Sequence, residues 1–380
     1  MPKIKIKELD NTGSSVLPGV DNTVYIPLKA TASIKIAKKT PTLFTSVKSF
    51  TDADSGCGVA STGIGWSMAY RLLALGMRVL VESVDAFTDI DFGREGLRDK
   101  SLYDIRFITA GDFAGKSEMY QDMLSCAAAR GDCFALLDPA KATKAATLVH
   151  NLVQNLGNGE FGAMFAPWCK FVALAQDSGD SNELPGSFAF LSAYAASIVS
   201  NPVWFATAGA LRGTVPNLVE PLIEYGTAAQ DILQCRAEEL DGEGDNIGVA
   251  VNPICYVRPY GYMIYGNRTL KKNDGATKAT SFLNVRNLVC EISKTLYSAS
   301  RKLTFEQNSD ILWATFKGLL TPMLDSMLSG QGITSYNIVK EATDAKARLK
   351  AKVIITPIEA VEDFELTIVL DNDNRASVSE

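Results

Sequence analysis

The sequence is poor in the side chains on which most enzymes depend. Its 380 residues include a single histidine, His150, and none of the seven cysteines stands in a C-x-x-C pair. Any Ser-His-Asp or Cys-His mechanism would therefore require His150, and a zinc site would lack closely spaced ligands. The sequence predicts no metal, no cofactor and no enzyme activity. The cysteines are expected to be reduced and mostly buried, as in proteins made in the cytosol.

An excess of positive charge is also missing. The 37 basic and 43 acidic residues give a net charge of −6, which argues against the basic surface that proteins use to bind nucleic acid.

Residues 1–7 lack the apolar run of a signal peptide, so secretion is not expected. Residues 184–211 carry no charge, but serines and the Asn201-Pro202 break dilute their hydrophobicity. We expect a buried helix and a buried loop there, and no membrane insertion.

Strand-like and helix-like periodicities alternate through the first two thirds of the chain. The predicted helices lie at 66–77, 116–130 and 142–156, and the predicted strands at 78–84, 103–109, 133–137 and 161–165. This alternation is typical of an α/β layer with a largely parallel sheet. After a break rich in Gly and Asp at 241–245, paired strands, two long helices at 281–301 and 310–328, and further strands predict a separate α+β domain.

Both ends of the sequence read as isolated strands, because apolar and polar side chains alternate there. The alternating residues are Lys3, Ile4, Lys5, Ile6 and Lys7 at the beginning, and Phe364, Leu366, Ile368 and Leu370 near the end. The first 40 residues carry seven lysines against three acids, whereas residues 359–380 carry seven acids against one arginine. We expect two arms that add strands to partner molecules and attract each other by charge.

Two local motifs admit a catalytic interpretation. Glycines between Gly56 and Gly65, followed by a helix, a strand and Glu82, resemble a dinucleotide-binding fingerprint, so a nucleotide-dependent α/β enzyme is the alternative function. A polar segment, rather than a buried strand, precedes these glycines, and this favours a loop leading into a packing helix. His150 reads as a structural residue of a helix, and Asp132 as a polar residue at the start of a strand.

From residue 103 onward, segment after segment resembles the contractile tail sheath proteins. The strand-like segments 103–111 and 130–138 and the aromatic strand end at 166–168 occur in that family's order. The most specific similarity is Asn252-Pro253-Ile254 with the segment 261–270, which resembles the strand pair that opens the family's C-terminal domain. Segments 282–286 and 305–313 follow at the expected places. The resemblance covers roughly residues 103–370, with a weaker stretch at 24–84.

This resemblance implies a fold and a domain order. The fold is α/β plus α+β, with a subtilisin-like α/β domain without protease chemistry. The expected parts are an amino-terminal arm (1–20), an outer α/β region (21–245, subtilisin-like from about 100), an inner sheath domain that includes the last strand (246–370), and a polar tail (371–380).

The resemblance also implies a structural function. Subunits are expected to polymerise as helically stacked six-fold rings around a tail tube, and to contract so that the tube crosses the target envelope. The tube is expected to contact the inner domain, with Lys294, Arg301, Lys302 and Lys317 as candidate contacts. Baseplate and tail terminator proteins are further expected partners. The particle would be a virion tail or a related injection system, assembled in the cytoplasm of the host bacterium.

Overall fold

The computed structural model describes residues 22–30, 36–53, 63–175, 182–235, 248–272, 278–342 and 348–360. Within these residues the strands are β1 Thr23–Lys29, β2 Thr42–Phe44, β3 Arg78–Val84, β4 Phe107–Ile108, β5 Phe134–Leu137, β6 Gly162–Ala166, β7 Cys169–Phe171, β8 Glu183–Leu184, β9 Leu218–Pro221, β10 Asn252–Val257, β11 Gly261–Ile264, β12 Ile333–Glu341 and β13 Lys350–Pro357. The helices are α1 Val47–Ala53, α2 Ile64–Ala74, α3 Tyr120–Arg130, α4 Ala146–Asn151, α5 Gly186–Ile198, α6 Gly209–Arg212, α7 Thr227–Gln234, α8 Leu283–Lys302 and α9 Asp310–Ser329. Single 3-10 turns lie at Phe87–Asp89, Gly111–Phe113, Ser117–Met119, Gly159–Phe161 and Ala279–Ser281.

An eight-stranded sheet forms the centre of the molecule. Its strand order is β11-β10-β6-β5-β4-β1-β3-β2. The six inner strands run parallel, and one antiparallel strand closes each edge, β2 beside β3 and β11 beside β10. A small sheet of β8, β7 and β9 lies apart from it, and β12 with β13 forms a two-stranded ribbon. The prediction of a mixed α/β fold with a largely parallel sheet is confirmed.

Helices cover both faces of the large sheet. Along β1 the side chains alternate: Val24 and Ile26 enter one core, whereas Tyr25 enters the other. Helices α2, α5, α8 and α9 contribute to the first core, and α3, α4 and α7 to the second. A parallel strand that is buried on both faces favours apolar side chains on both of them, and the inner strands are accordingly rich in apolar residues.

Most of the predicted elements occur, with shifted ends. The strand predicted at 78–84 is β3 without change, and the two long helices predicted near the end of the chain are α8 and α9. The strand predicted at 103–109 shrinks to Phe107–Ile108. The helix predicted at 142–156 is limited to α4, because a turn precedes it, in which the Thr143 N–H donates to the Ala140 carbonyl, and further turns follow it.

The uncharged stretch after residue 184 forms α5, and its side chains from Gly186 to Ala195 are buried. This confirms the expected buried helix. In the part of the chain that the structure describes, no helix combines the length and the apolar character needed to cross a membrane.

The first two strands after residue 246, β10 and β11, do not begin a sheet of their own. β10 pairs in parallel with β6, and β11 pairs with β10, so both strands extend the large sheet. The sheet thus runs across the predicted boundary at residue 245. The elements after β11 that are not part of this sheet are α8, α9 and the β12–β13 ribbon. A buried ion pair joins them to the sheet, with Arg106 Nη1 lying 2.6 Å from Glu291 Oε2 of α8.

Candidate assembly surfaces

The β12–β13 ribbon presents one covered face and one open face. The strands pair antiparallel, with Tyr336 opposite Ile355 and Ile338 opposite Val353. These side chains join the core cluster that includes α9. On the other face, Asn337 lies opposite Ile354, and Val339 lies opposite Lys352. Ile354 is 45% exposed and Val339 is 36% exposed, so this face keeps apolar surface in contact with water.

Neither outer edge of the ribbon has a strand partner among the described residues. A two-stranded antiparallel ribbon is only marginally stable by itself, and an open edge presents backbone donors and acceptors to which another strand can pair. The ribbon can therefore accept a strand at either edge. The sequence indicated strands in this region but did not distinguish this ribbon as an acceptor, because edge exposure is a property of the folded chain.

Basic side chains surround the end of the ribbon where β12 finishes and β13 begins. Lys340, Arg348, Lys350 and Lys352 are all exposed there. Acidic neighbours neutralise part of this charge: Lys350 Nζ lies 2.8 Å from Glu341, and Lys340 Nζ lies 3.1 Å from Asp310. The acidic carboxyl-terminal segment of the sequence is electrically complementary to this end of the ribbon.

The two predicted arms lie outside the described residues. This applies to Lys3, Ile4, Lys5, Ile6 and Lys7, and to Phe364, Leu366, Ile368 and Leu370. Their pairing with partner molecules stays a prediction.

The four basic residues predicted to contact a tube fall into two groups. Arg301, Lys302 and Lys317 are exposed on α8 and α9, and the Arg301 guanidinium lies 5.7 Å from the centre of the Tyr297 ring. Lys294 differs, because its side chain is only 10% exposed and pairs with Asp104. An engaged, mostly covered ammonium group is less available to a partner than the other three.

Two large apolar side chains near the start of α9, Phe305 and Ile311, are exposed to water. Phe305, in the loop between α8 and α9, is 99% exposed and has a φ of 76°, a backbone conformation that few residues other than glycine adopt. Ile311 on the first turn of α9 is also exposed. Single exposed apolar side chains are common on protein surfaces, so Phe305 is distinguished mainly by its backbone conformation.

The nucleotide-binding alternative finds no support in the described part of its motif. Residues 54–62, with Gly56 and Gly58, lie outside the described residues. At the start of α2, where a dinucleotide phosphate would bind, the Gly65 N–H donates to Asp112 Oδ1 over 2.7 Å. Glu82, the expected ribose ligand, instead accepts a hydrogen bond of 2.6 Å from the buried Tyr25 hydroxyl. A carboxylate and a tyrosine thus occupy the positions that the cofactor would need.

His150 has a partner that its sequence neighbours did not reveal. Its Nε2 lies 2.9 Å from the Cys235 sulfur, and the two residues are 85 positions apart. Burial raises the pKa of Cys235 to about 11 and lowers the pKa of His150. Both effects favour a neutral thiol beside a neutral imidazole rather than the reactive thiolate that nucleophilic catalysis requires. Among the described residues no group of three potential ligands could hold a metal ion.

Asp132 is a structural residue, as expected. It forms a buried ion pair with Arg130, whose Nε lies 3.0 Å from Asp132 Oδ1. Arg130 also donates to the carbonyl oxygens of Leu97 and Tyr103. The pair fastens the end of α3 to the preceding loop.

The described geometry thus defines a class: an α/β protein whose sheet has helices on both faces, with an edge-exposed ribbon and no assembled catalytic site among its described residues.

Comparison with known proteins makes this class more specific. No family model matches the sequence. The tail sheath protein of Enterobacteria phage T4 is 24% identical over 270 residues, which are 65% of this chain and 38% of that protein. The tail sheath protein of a Vibrio phage, KVP40, is 22% identical over 192 residues, 49% of this chain and 26% of that protein. The chain matches less than two fifths of the length of either relative.

Solved structures share the fold over nearly the whole chain. The contracted sheath complex of an extracellular contractile injection system, PVC, aligns with a TM-score of 0.70 and 18% identity, covering 99% of both chains. A chain of the anti-feeding prophage baseplate aligns with a TM-score of 0.69 and 15% identity, covering 98% of this chain and 99% of that one. The sheath tail protein of Desulfitobacterium hafniense gives 0.53 at 9% identity, covering 93% and 100%. The resemblance to contractile sheath proteins that the sequence indicated is confirmed.

Proposed function

We propose that this chain is the structural subunit of a contractile sheath, and that it polymerises with copies of itself rather than catalysing a reaction. The β12–β13 ribbon carries the proposal, because its two open edges offer pairing sites in a chain whose two ends have the alternation of strands. The relatives support the proposal, since both phage proteins are tail sheath proteins and a structural neighbour with the same fold is a sheath complex.

The ribbon would accept the arms of neighbouring subunits. A strand added at each edge turns the marginal ribbon into a sheet of four strands and satisfies backbone groups that otherwise only water serves. The acidic segment 359–380 suits the basic end of the ribbon around Lys350 and Lys352. Complementary charge of this kind guides the correct pairing more than it adds affinity, because exposed ion pairs contribute about 1 kcal/mol or less each.

The proposed mechanism is a change between two packings of the same folded subunits. Subunits would assemble in six-fold rings around a tail tube in an extended, metastable array, and a shorter, wider array would follow when the baseplate releases it. The free-energy difference between these packings does the work. The arms act as tethers, since backbone ladders can hold subunits together while the subunit bodies rotate. We interpret the large sheet as the subtilisin-like layer of the subunit body.

The remaining partners follow from the same proposal. Arg301, Lys302 and Lys317 would face an acidic tube, and Lys294 would contribute less because it pairs with Asp104. Baseplate and terminator proteins would bind the two ends of the sheath. The subunit would be part of a virion tail or an injection particle, assembled in the bacterial cytoplasm.

Negative-stain microscopy of the purified protein tests the proposal, with Lys350→Glu/Lys352→Glu as the variant and Lys48→Glu as the control. Lys48 is an exposed lysine on α1 that, like Lys350, pairs with a single acidic neighbour, and it lies far from the ribbon in the sequence. We expect tubes or rings from the wild type and the control, and fewer or defective assemblies from the double variant because its ribbon would repel the acidic segment. A wild-type protein that stays monomeric at every concentration, and gains thermal stability from NAD or ATP, would support the enzyme alternative.

A further inference from the structure

A groove of about 970 Å³ lies between the amino-terminal edge of the large sheet and helix α9. Asn22, the residue before β1, lies on its rim, together with Met77 at the start of β3. Leu319 and Met323 of α9 form the opposite wall. The volume is in the range of sites that hold a ligand or a short peptide segment.

The walls of this groove are mostly apolar and incompletely covered, with polar groups such as Glu291 and Thr295 of α8 also in the lining. Leu320 and Leu324 of α9 are buried in the core, whereas Leu319 and Met323 on the neighbouring side of the helix are only half-buried. Val199, just after α5, also lines the groove and is 81% exposed. An apolar groove of this size is stabilised when apolar side chains displace its water.

The path of the chain brings one segment directly to this groove. β1 lies in the interior of the sheet, and its amino-terminal end opens at the groove, where the Tyr194 hydroxyl donates to Asn22 Oδ1 over 3.0 Å. The described part of the chain thus begins at this groove. The preceding residues 16–20 read Val-Leu-Pro-Gly-Val and carry no charge. Six extended residues can span about 20 Å.

We propose that Val16, Leu17 and Val20 pack into this groove of their own subunit, against Leu319 and Met323. The segment 16–20 then links α9 to the edge of the sheet. Without this segment, only one side of α9 packs against the core. Residues 1–12 consequently leave the subunit beside α9, next to the ribbon on which α9 packs. The inference concerns the isolated subunit, so it does not depend on sheath assembly.

The first test is the melting temperature of the monomer, measured at a concentration where light scattering shows no polymer. The variant Val16→Ser/Leu17→Ser/Val20→Ser loses the apolar contacts and should melt roughly 3–6 °C below the wild type. The matched control Ile4→Ser/Ile6→Ser removes equally apolar side chains outside the segment and should melt as the wild type does. Equal melting temperatures of all three proteins would refute the proposal.

The second test is a disulfide between Leu17→Cys and Met323→Cys, formed under mild oxidation with Cys57→Ser and Cys235→Ser in the background. We expect a link within one chain, seen as a monomer with a compact migration on a non-reducing gel. The control pair Ile6→Cys with Met323→Cys should link much less. A linked dimer would mean that another copy fills the groove, and no link at position 17 would mean that some other segment or ligand fills it. Either result would overturn the assignment.

Discussion

The strands of the large sheet and those of the ribbon both contain apolar, β-forming residues, but these residues lie in opposite environments. Ile26 in β1 is fully buried, because β4 and β3 flank its strand and helices cover both faces. Ile354 in β13 is almost half exposed, because its strand has one partner among the described residues and a helix on one face only. Apolar, β-forming residues therefore predict a strand in both places, but they do not say whether the subunit itself completes the sheet. The large sheet stabilises the fold of the subunit. The ribbon has open edges to which strands of other molecules can pair.

The largest expected effect separates assembly from folding. Deletion of residues 1–12 should abolish polymerisation seen by electron microscopy, because the ribbon of each subunit would lack an incoming strand. Calorimetry of the same protein should show an unchanged cooperative melting transition. Neutralising Lys3, Lys5 and Lys7 should only slow assembly, since exposed charges add little affinity and salt screens them. Sheaths of normal length from the deleted protein would remove the arm from the mechanism.

Two phenylalanines, one buried and one exposed, test the contrast between covered and open apolar surfaces. Phe190 stacks on Phe165 with ring centres 4.5 Å apart in the core beneath the sheet, so Phe190→Ala should cost about 3–5 kcal/mol of unfolding free energy in denaturant titrations. Phe305 is fully exposed, so Phe305→Ala should leave stability unchanged and weaken polymerisation if the loop is an interface. A large loss of stability in Phe305→Ala would contradict the exposed position.

A buried carboxyl group gives the sheet a pH dependence that the ribbon should lack. Asp138 follows β5 and accepts hydrogen bonds from the N–H and the hydroxyl of Ser187 at the start of α5. Burial raises the pKa of Asp138 to about 7, above an unfolded value of about 4. The folded state therefore binds this proton more tightly, and the contribution of Asp138 to stability falls as the pH rises from about 4 to about 7, by roughly 4 kcal/mol at most.

The isosteric variant Asp138→Asn should flatten this part of the stability profile while retaining a partner for Ser187. Chemical denaturation of both proteins at a series of pH values measures the difference. A wild-type and a variant profile that run parallel from pH 4 to 7 would show that Asp138 is ionised throughout.

The smallest expected effect concerns the helices beside the ribbon. Reversing the charge of Arg301, Lys302 and Lys317 should weaken tube decoration several-fold, whereas tube-free polymerisation should persist. Reversal of Lys294 should instead lower subunit stability, because it places like charges at the contact with Asp104. Cosedimentation with purified tubes measures the first effect, and thermal unfolding the second. Unchanged tube binding after all the reversals would exclude this face.

Elements whose periodicity is local could be predicted from the sequence alone. The limits of β3, the two long helices α8 and α9, and the buried character of α5 could be read from apolar spacing and from the absence of charge, because these patterns reflect which side of an element faces water. The similarity to sheath proteins could also be recognised from the sequence, because its segments resemble those of that family and occur in the same order along the chain.

The contacts between distant elements, in contrast, are visible only in the folded chain. The pairing of β10 with β6, the contact of His150 with Cys235 and the ion pair of Lys294 with Asp104 each join residues far apart in the sequence. The same holds for the open ribbon edges and for the groove beside Asn22. Such contacts depend on how whole surfaces are buried against one another, and local periodicity contains no information about which distant surface that will be.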